Sequence, residues 1–161
     1  MPSGIQVCLF AERPIPGTVT YATLGLSRHI LGMPRGREVR QELLLSVSWS
    51  WAHDDLAKLL ASVADGILRK HHALLRGQVV PLGHPVASGS PCNGLYVSLP
   101  VVFPGALATF ADTQPPTVFA WLIPIYAEES DLVDCLGWNG FEDRLERTDL
   151  DLFDLKRPPV V

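Results

Sequence analysis

The sequence predicts an α+β domain with a mixed, mainly antiparallel central sheet packed by helices. Three observations point there. The elements run β-β-β-α-β-β-α-α, so strands cluster instead of alternating with helices, which argues against a doubly wound sheet. The run Val118-Phe119-Ala120-Trp121-Leu122-Ile123 is apolar, β-branched and aromatic, and lies between Pro115-Pro116 and Pro124. A strand of that kind is buried on both faces and needs cover on both sides. Leu56, Leu59, Leu60, Val63, Ile67 and Leu68 recur at spacings of three and four, the stripe of an amphipathic helix.

Each element has its own reason. Gly4 to Phe10 alternates Ile5, Val7 and Leu9 against Gln6, Cys8 and Phe10, a period-2 strand. Arg13-Pro14-Ile15-Pro16-Gly17 turns the chain, because proline fixes φ and glycine frees it. Thr18 to Leu26 is the second strand of the resulting hairpin. Met33 to Arg37 is a polar, exposed loop. Glu42 to Ser50 is a third strand, with Leu45, Val47 and Trp49 on a buried face and Ser46, Ser48 and Ser50 on a small polar one. The helix opens at Asp54-Asp55 and closes near Arg69, Lys70, His71 and His72, charges that complement its dipole, and Gly77 is its expected stop. Residues 77–94 form a long connection with a short extended piece at Val79-Val80. Leu95 to Phe103 is a strand interrupted by Pro100, and 104–116 a second loop. The apolar strand, with Val118–Ile125 as the expected centre of the sheet, leads to a helix at Glu128–Leu136. Trp138-Asn139-Gly140 then reads as a left-handed corner, Phe141–Arg147 as a short helix, and the tail from Asp149 as an edge strand or docked arm.

The chain has 161 residues, 47% hydrophobic and 19% charged. This suits one domain, 1–161, with a sizeable core. The longest apolar run falls far short of the ~18–20 residues of a membrane-spanning helix. Met1-Pro2-Ser3-Gly4 lacks the basic region of a signal peptide. Three scattered cysteines, Cys8, Cys92 and Cys135, form no disulfide framework and suit a reducing cytoplasm. With a net charge of −4 and no Lys/Arg block, neither a nucleic-acid nor a membrane partner is expected.

No coherent catalytic set stands out. Cys92 with His84 nearby is conceivable as a nucleophile pair of a hydrolase or transferase, against the plainer reading of a cysteine packed beneath a turn. His71, His72, His84 and Cys92 lack zinc-ligand spacing. Asp149, Asp151 and Asp154 lack the turn glycine of a calcium loop. Gly25-Leu26-Ser27-Arg28-His29 is not a nucleophile elbow. A small-ligand cleft under the 77–94 loop is a further alternative, and no cofactor or metal is expected. Among the tryptophans, Trp121 is expected in the core; Trp49, Trp51 and Trp138 suit core or interface equally.

Several pieces also fall in a family's order. Thr20-Tyr21-Ala22-Thr23-Leu24-Gly25-Leu26-Ser27 looks like a strand ending in a G-[LM]-S turn. Glu42-Leu43-Leu44-Leu45 follows as an E-L-hydrophobic strand. Helix 54–72 precedes a Gly-rich connection with Leu82-Gly83; then come Leu95-Tyr96, the run 118–126, an acidic helix and Gly137-Trp138-Asn139-Gly140. Together they resemble the suppressor of fused domain family over nearly the whole chain. The likeness is to the N-terminal domain of the animal Hedgehog-pathway regulator and, more closely, to stand-alone bacterial relatives. Family members usually carry a helical segment ahead of the first strand, whereas this chain begins almost on that strand. The resemblance implies a binding module and not a catalyst. The animal relative sequesters transcription factors by gripping an extended segment. Bacterial relatives are regarded as immunity proteins of polymorphic toxin systems. The acidic balance suits a basic partner such as a nuclease toxin. Partner contacts are expected at Ser27, Arg28, His29, Trp51, His84, Cys92 and Trp138, on the loops 27–38, 77–94 and 104–116.

Overall fold

A computed structural model describes residues 4–160. The residues on which the leader reading rests, Met1 to Ser3, lie outside that range. Strands β1 (Gln6–Ala11) and β2 (Thr18–Leu24) form the expected antiparallel hairpin. A 3-10 turn, Leu26–Arg28, leads to the two-residue β3 (Leu31–Gly32), which pairs with the long β4 (Glu38–Ser48). Helix α1 (Asp54–Lys70) follows. Then come β5 (Val79–Pro81), β6 (Gly94–Ser98), β7 (Thr109–Phe110), β8 (Thr117–Ile125) and α2 (Ala127–Arg147).

The main path of the sheet is β1-β2-β4-β8-β6-β5, with β3 on β4 and β7 on β8. Only β4 and β8 run parallel, so the sheet is mixed and mainly antiparallel, as expected, with β8 at its centre. Side chains alternate across it. Tyr21, Leu43, Leu45, Val97 and Leu122 meet Leu56, Leu60 and Ile67 of α1 on one face. Leu44, Tyr96, Trp121 and Ile123 meet Val133 and Phe141 of α2 and Phe153 of the tail on the other. Burying each such side chain contributes roughly 1.5–3 kcal/mol, so both layers are needed to hold the sheet.

Several boundaries differ from expectation. β4 starts at Glu38, and Leu43 to Val47 is buried on both faces because both are covered. Ser46 is buried too, its hydroxyl paired with that of Thr20 at 2.8 Å. Trp49 leaves the strand into a 3-10 turn and is half exposed. α1 stops at Lys70, not at Gly77: His71 takes a left-handed conformation, φ 55°, and its N–H reaches the Leu68 carbonyl. β6 ends at Ser98, ahead of Pro100. The corner in α2 is at Gly137, φ 71° and ψ 169°, not at Asn139-Gly140. Only glycine adopts that backbone cheaply, so it divides α2 into the two predicted pieces. The tail docks as an arm, burying Phe153, Leu155, Arg157 and Val160.

Candidate partner-binding site

A sheet of this order has two free edges, and β5 lies on one of them. The even-numbered residues around it bond to β6: the Val97 N–H reaches the Gln78 carbonyl at 2.9 Å, and the Leu82 N–H reaches the Asn93 carbonyl at 3.1 Å. By the alternation of an antiparallel ladder, Val79 and Pro81 turn their backbone groups outward. The edge therefore offers the Val79 N–H and the carbonyls of Val79 and Pro81, since proline has no N–H.

That edge is partly covered: Val79 and Val80 are half-buried and Pro81 is exposed. It forms part of a cleft of about 620 Å³ between α1 and α2. Leu59, Val63 and Lys70 of α1 line one side, and Val133 and Asp134 of α2 the other. His72 and His84 also border it.

The segment entering β5 is fixed at several points. The amide of buried Gln41 donates to the Leu74 carbonyl at 2.9 Å and accepts from the Leu74 N–H at 3.0 Å. Arg76 pairs with Glu142 and stacks its guanidinium over Trp138, 4.3 Å from the ring centroid. Glu142 also accepts from the Tyr96 hydroxyl at 2.8 Å. Burial first, and the Glu142 carboxylate second, push the Tyr96 phenol well above its ordinary value. Gly77 lies flat against Trp138: a Cβ there would sit 2.6 Å from the Trp138 Cβ, and φ is +89°.

The residues singled out in the sequence do not form one site. His84 borders the β5 cleft, and Trp138 packs against Gly77 at the start of the same segment. Ser27, Arg28 and His29 sit on the turn after β2. Trp51 is half-buried, its indole N–H donating to Asp154 at 3.0 Å. Cys92 lies in the core at 1% exposure, its thiol directed at the Leu155 carbonyl 3.7 Å away. It offers no surface to a partner. Burial also pushes its thiol up, the reverse of what a nucleophile needs. His84 directs its ring nitrogen to the Pro85 carbonyl instead, at 2.8 Å. Among the described residues, no group of three or more His, Cys, Asp or Glu could hold a metal ion, and no helix is long and apolar enough to cross a membrane.

Sequence reasoning named the 77–94 loop that holds Gln78 and Val79, but neither Arg76 nor the edge position of β5. The signal was present: a short extended piece ending in Pro81 is the mark of an edge strand.

The two motif pieces from β2 and β4 are bonded to each other. Buried Glu42 accepts from the N–H groups of Gly25 and Ser27, both at 3.0 Å, and from the Thr23 hydroxyl at 2.5 Å. The E-L strand thus caps the G-L-S turn. Beside it, a largely apolar groove of about 750 Å³ runs between this sheet face and the loop before β8, bordered by Cys8, Phe10, Leu24, Phe110 and Phe119.

Comparison with known proteins agrees with this architecture. The chain is 23% identical to the immunity protein YqcF of Bacillus subtilis, over 99% of this chain and 83% of that one. A crystal structure of a suppressor of fused homologue from Neisseria gonorrhoeae superposes with a TM-score of 0.80 at 20% identity, covering 98% of this chain and 78% of the other. Drosophila Suppressor of Fused gives 0.69 at 14% identity, covering 89% of this chain and 38% of that one. A Sufu–Fu complex gives 0.66 at 15%, covering 89% and 69%. The family model of the suppressor of fused protein (SUFU) matches residues 1–158, and the chain belongs to that family.

Proposed function

We propose that this chain is a non-catalytic binding protein of the cytoplasm that neutralises or holds a protein partner, as an immunity or regulatory factor. The observation that carries this reading is the recessed β5 edge: strand hydrogen-bonding groups presented inside a cleft between two helices. An extended segment of a partner would add to β5, taking specificity from side chains that enter the cleft. Lys70, His72 and His84 on its walls suit acidic side chains of that segment, and Asp134 a basic one. The family, the YqcF relative named as an immunity protein, and the Sufu–Fu complex all support a protein partner. The partner class we favour is a cognate toxin of a polymorphic toxin system.

The test is co-expression with the toxin encoded beside the gene, followed by co-purification and a survival assay. Val79→Pro deletes the one outward N–H where Pro81, two residues on, already accommodates proline. We expect it to weaken binding tenfold or more while the fold is retained. No complex and no protection in the parent protein would refute the reading. At 620 Å³ the cleft also has the size of a small-ligand site. A thermal-shift screen separates the two, because a bound ligand raises the melting temperature without any protein partner.

A further inference from the structure

The opposite edge of the sheet is built differently. The Trp49 N–H reaches the Gly17 carbonyl at 2.8 Å, and the Ser48 N–H turns away from β2 to the Phe153 carbonyl. Odd-numbered residues of β2 therefore bond to β4, and even-numbered ones bond to β1. Given the register Cys8↔Ala22 and Phe10↔Thr20, β1 uses Gln6, Cys8 and Phe10 toward β2. Val7, Leu9 and Ala11 turn their N–H and C=O groups outward. Among the described residues, nothing bonds to these groups.

Edges that must stay unpaired carry charge, proline or a bulge. β1 has none of these: it reads Gln-Val-Cys-Leu-Phe-Ala and pairs with β2 without interruption. Its outer side chains are apolar on both faces. Leu9 is 51% exposed on the α1 face, and Phe10 is 51% exposed on the other, where with Cys8 it borders the apolar groove.

We propose that β1 pairs antiparallel with β1 of a second copy of this chain, about a twofold axis at Leu9. In that register Leu9 faces Leu9 of the second copy, and Val7 faces its Ala11. Every outward N–H meets an outward carbonyl, which is why a strand is the occupant. The edge is also self-complementary, as an isologous interface requires. Within β1 itself no residue is charged, so no like charges oppose across the axis. Cys8 faces Phe10 of the second copy, so each copy's ring closes over the other's groove mouth. The interface leaves the β5 cleft free and is independent of the function proposed above.

Light scattering coupled to size exclusion tests this on the full chain. The expected species has twice the 17.6 kDa chain mass. Leu9→Lys puts two ammonium groups face to face on the axis and should give a monomer with unchanged circular dichroism. Leu136→Lys, similarly exposed but on α2, away from β1 and the groove, should remain dimeric. Cys8 and Phe10 form a non-hydrogen-bonded pair, the closer of the two strand spacings. Phe10→Cys should therefore yield an oxidised dimer linked between Cys8 and the new cysteine of the other copy. A parent protein that is monomeric across micromolar concentrations overturns the proposal, as does a Leu9→Lys variant that stays dimeric. A link joining Cys8 to Cys8 overturns the register.

Discussion

Substituting Arg157 by alanine is expected to loosen the whole tail. Arg157 and Glu129 form a buried ion pair at 2% and 0% side-chain exposure. The contact is forked: Nη1 donates to Oε1 at 2.6 Å and Nη2 to Oε2 at 2.9 Å. The guanidinium also donates to the Pro158 and Pro124 carbonyls, which tie the tail to the end of β8. The carboxylate further accepts from the N–H groups of Tyr126 at 2.9 Å and Val160 at 2.8 Å. Removing the guanidinium leaves a carboxylate with no exposure and two backbone donors. Breaking such a pair costs about 3–5 kcal/mol, a large share of the ~5–15 kcal/mol of a whole domain. At about 2–4 °C per kcal/mol for a chain of this size, the melting temperature should fall by roughly 6–20 °C. Urea denaturation measures the loss, and hydrogen exchange at the Val160 amide locates it. Arg157→Lys keeps the charge but not the fork and should fall between parent and alanine variant. The double change to leucine at both positions should cost less than the two single changes added together. A loss below about 1 kcal/mol for Arg157→Ala, the value of an exposed pair, would show that the pair does not anchor the tail.

Other expectations follow from the same kind of count. Glu42→Ala removes the acceptor of two backbone N–H groups and a hydroxyl; each unsatisfied donor costs about 1–3 kcal/mol, so urea denaturation should register several kcal/mol. Gly77→Ala collides with Trp138 and strains a positive φ; a loss of about 1–3 kcal/mol is expected with a shift in tryptophan emission, and Trp138→Ala should relieve only the steric part. Cys92 should alkylate far more slowly at neutral pH than exposed Cys135, read peptide by peptide by mass spectrometry; fast reaction at Cys92 would revive the nucleophile reading. Burial raises the Cys92 thiol above 9.0 and the Tyr96 phenol above 10.0. Stability from these groups is full below those unfolded-state values and is lost as pH rises through the higher folded-state values, so denaturation midpoints should fall in alkaline buffer.

The elements most visible in the sequence were those whose period is set by burial. The α1 stripe and the apolar run of β8 appear in the structure almost as spaced, because burial dictates both. The family pieces at 20–27 and 42–45 were visible as patterns but not as a contact. Sequence gives no direct sign that Glu42 of β4 reaches the end of the neighbouring β2 at Gly25. The stop of α1 was misplaced because a histidine, not a glycine, takes the left-handed position, from which the chain pairs with Gly32 of β3 through the His71 carbonyl and the Ala73 N–H. The helix corner was placed two residues late, since four consecutive residues, Gly137-Trp138-Asn139-Gly140, contain three that tolerate unusual backbone. Cys92 and His84 looked paired because they are near in sequence, yet one faces the core and the other the surface.

Buried polar side chains at three places share one role, and it bears on the proposed binding. Gln41 fastens Leu74, Glu42 fastens the Gly25–Ser27 turn, and Glu129 with Arg157 fastens the tail. Each satisfies backbone groups of an irregular segment that no strand or helix would satisfy. An apolar side chain at any of these positions would leave that segment unanchored. The connection into β5 is therefore held before any partner arrives, by Gln41 behind it and Trp138 beside it. Ordering a loop on binding costs about 0.5–1.5 kcal/mol for each immobilised side chain, and a segment already ordered avoids that cost. The same anchoring explains how a three-residue strand persists at the sheet edge. Held by β6 on one side and flanked by two helices, it needs little length of its own to stay formed.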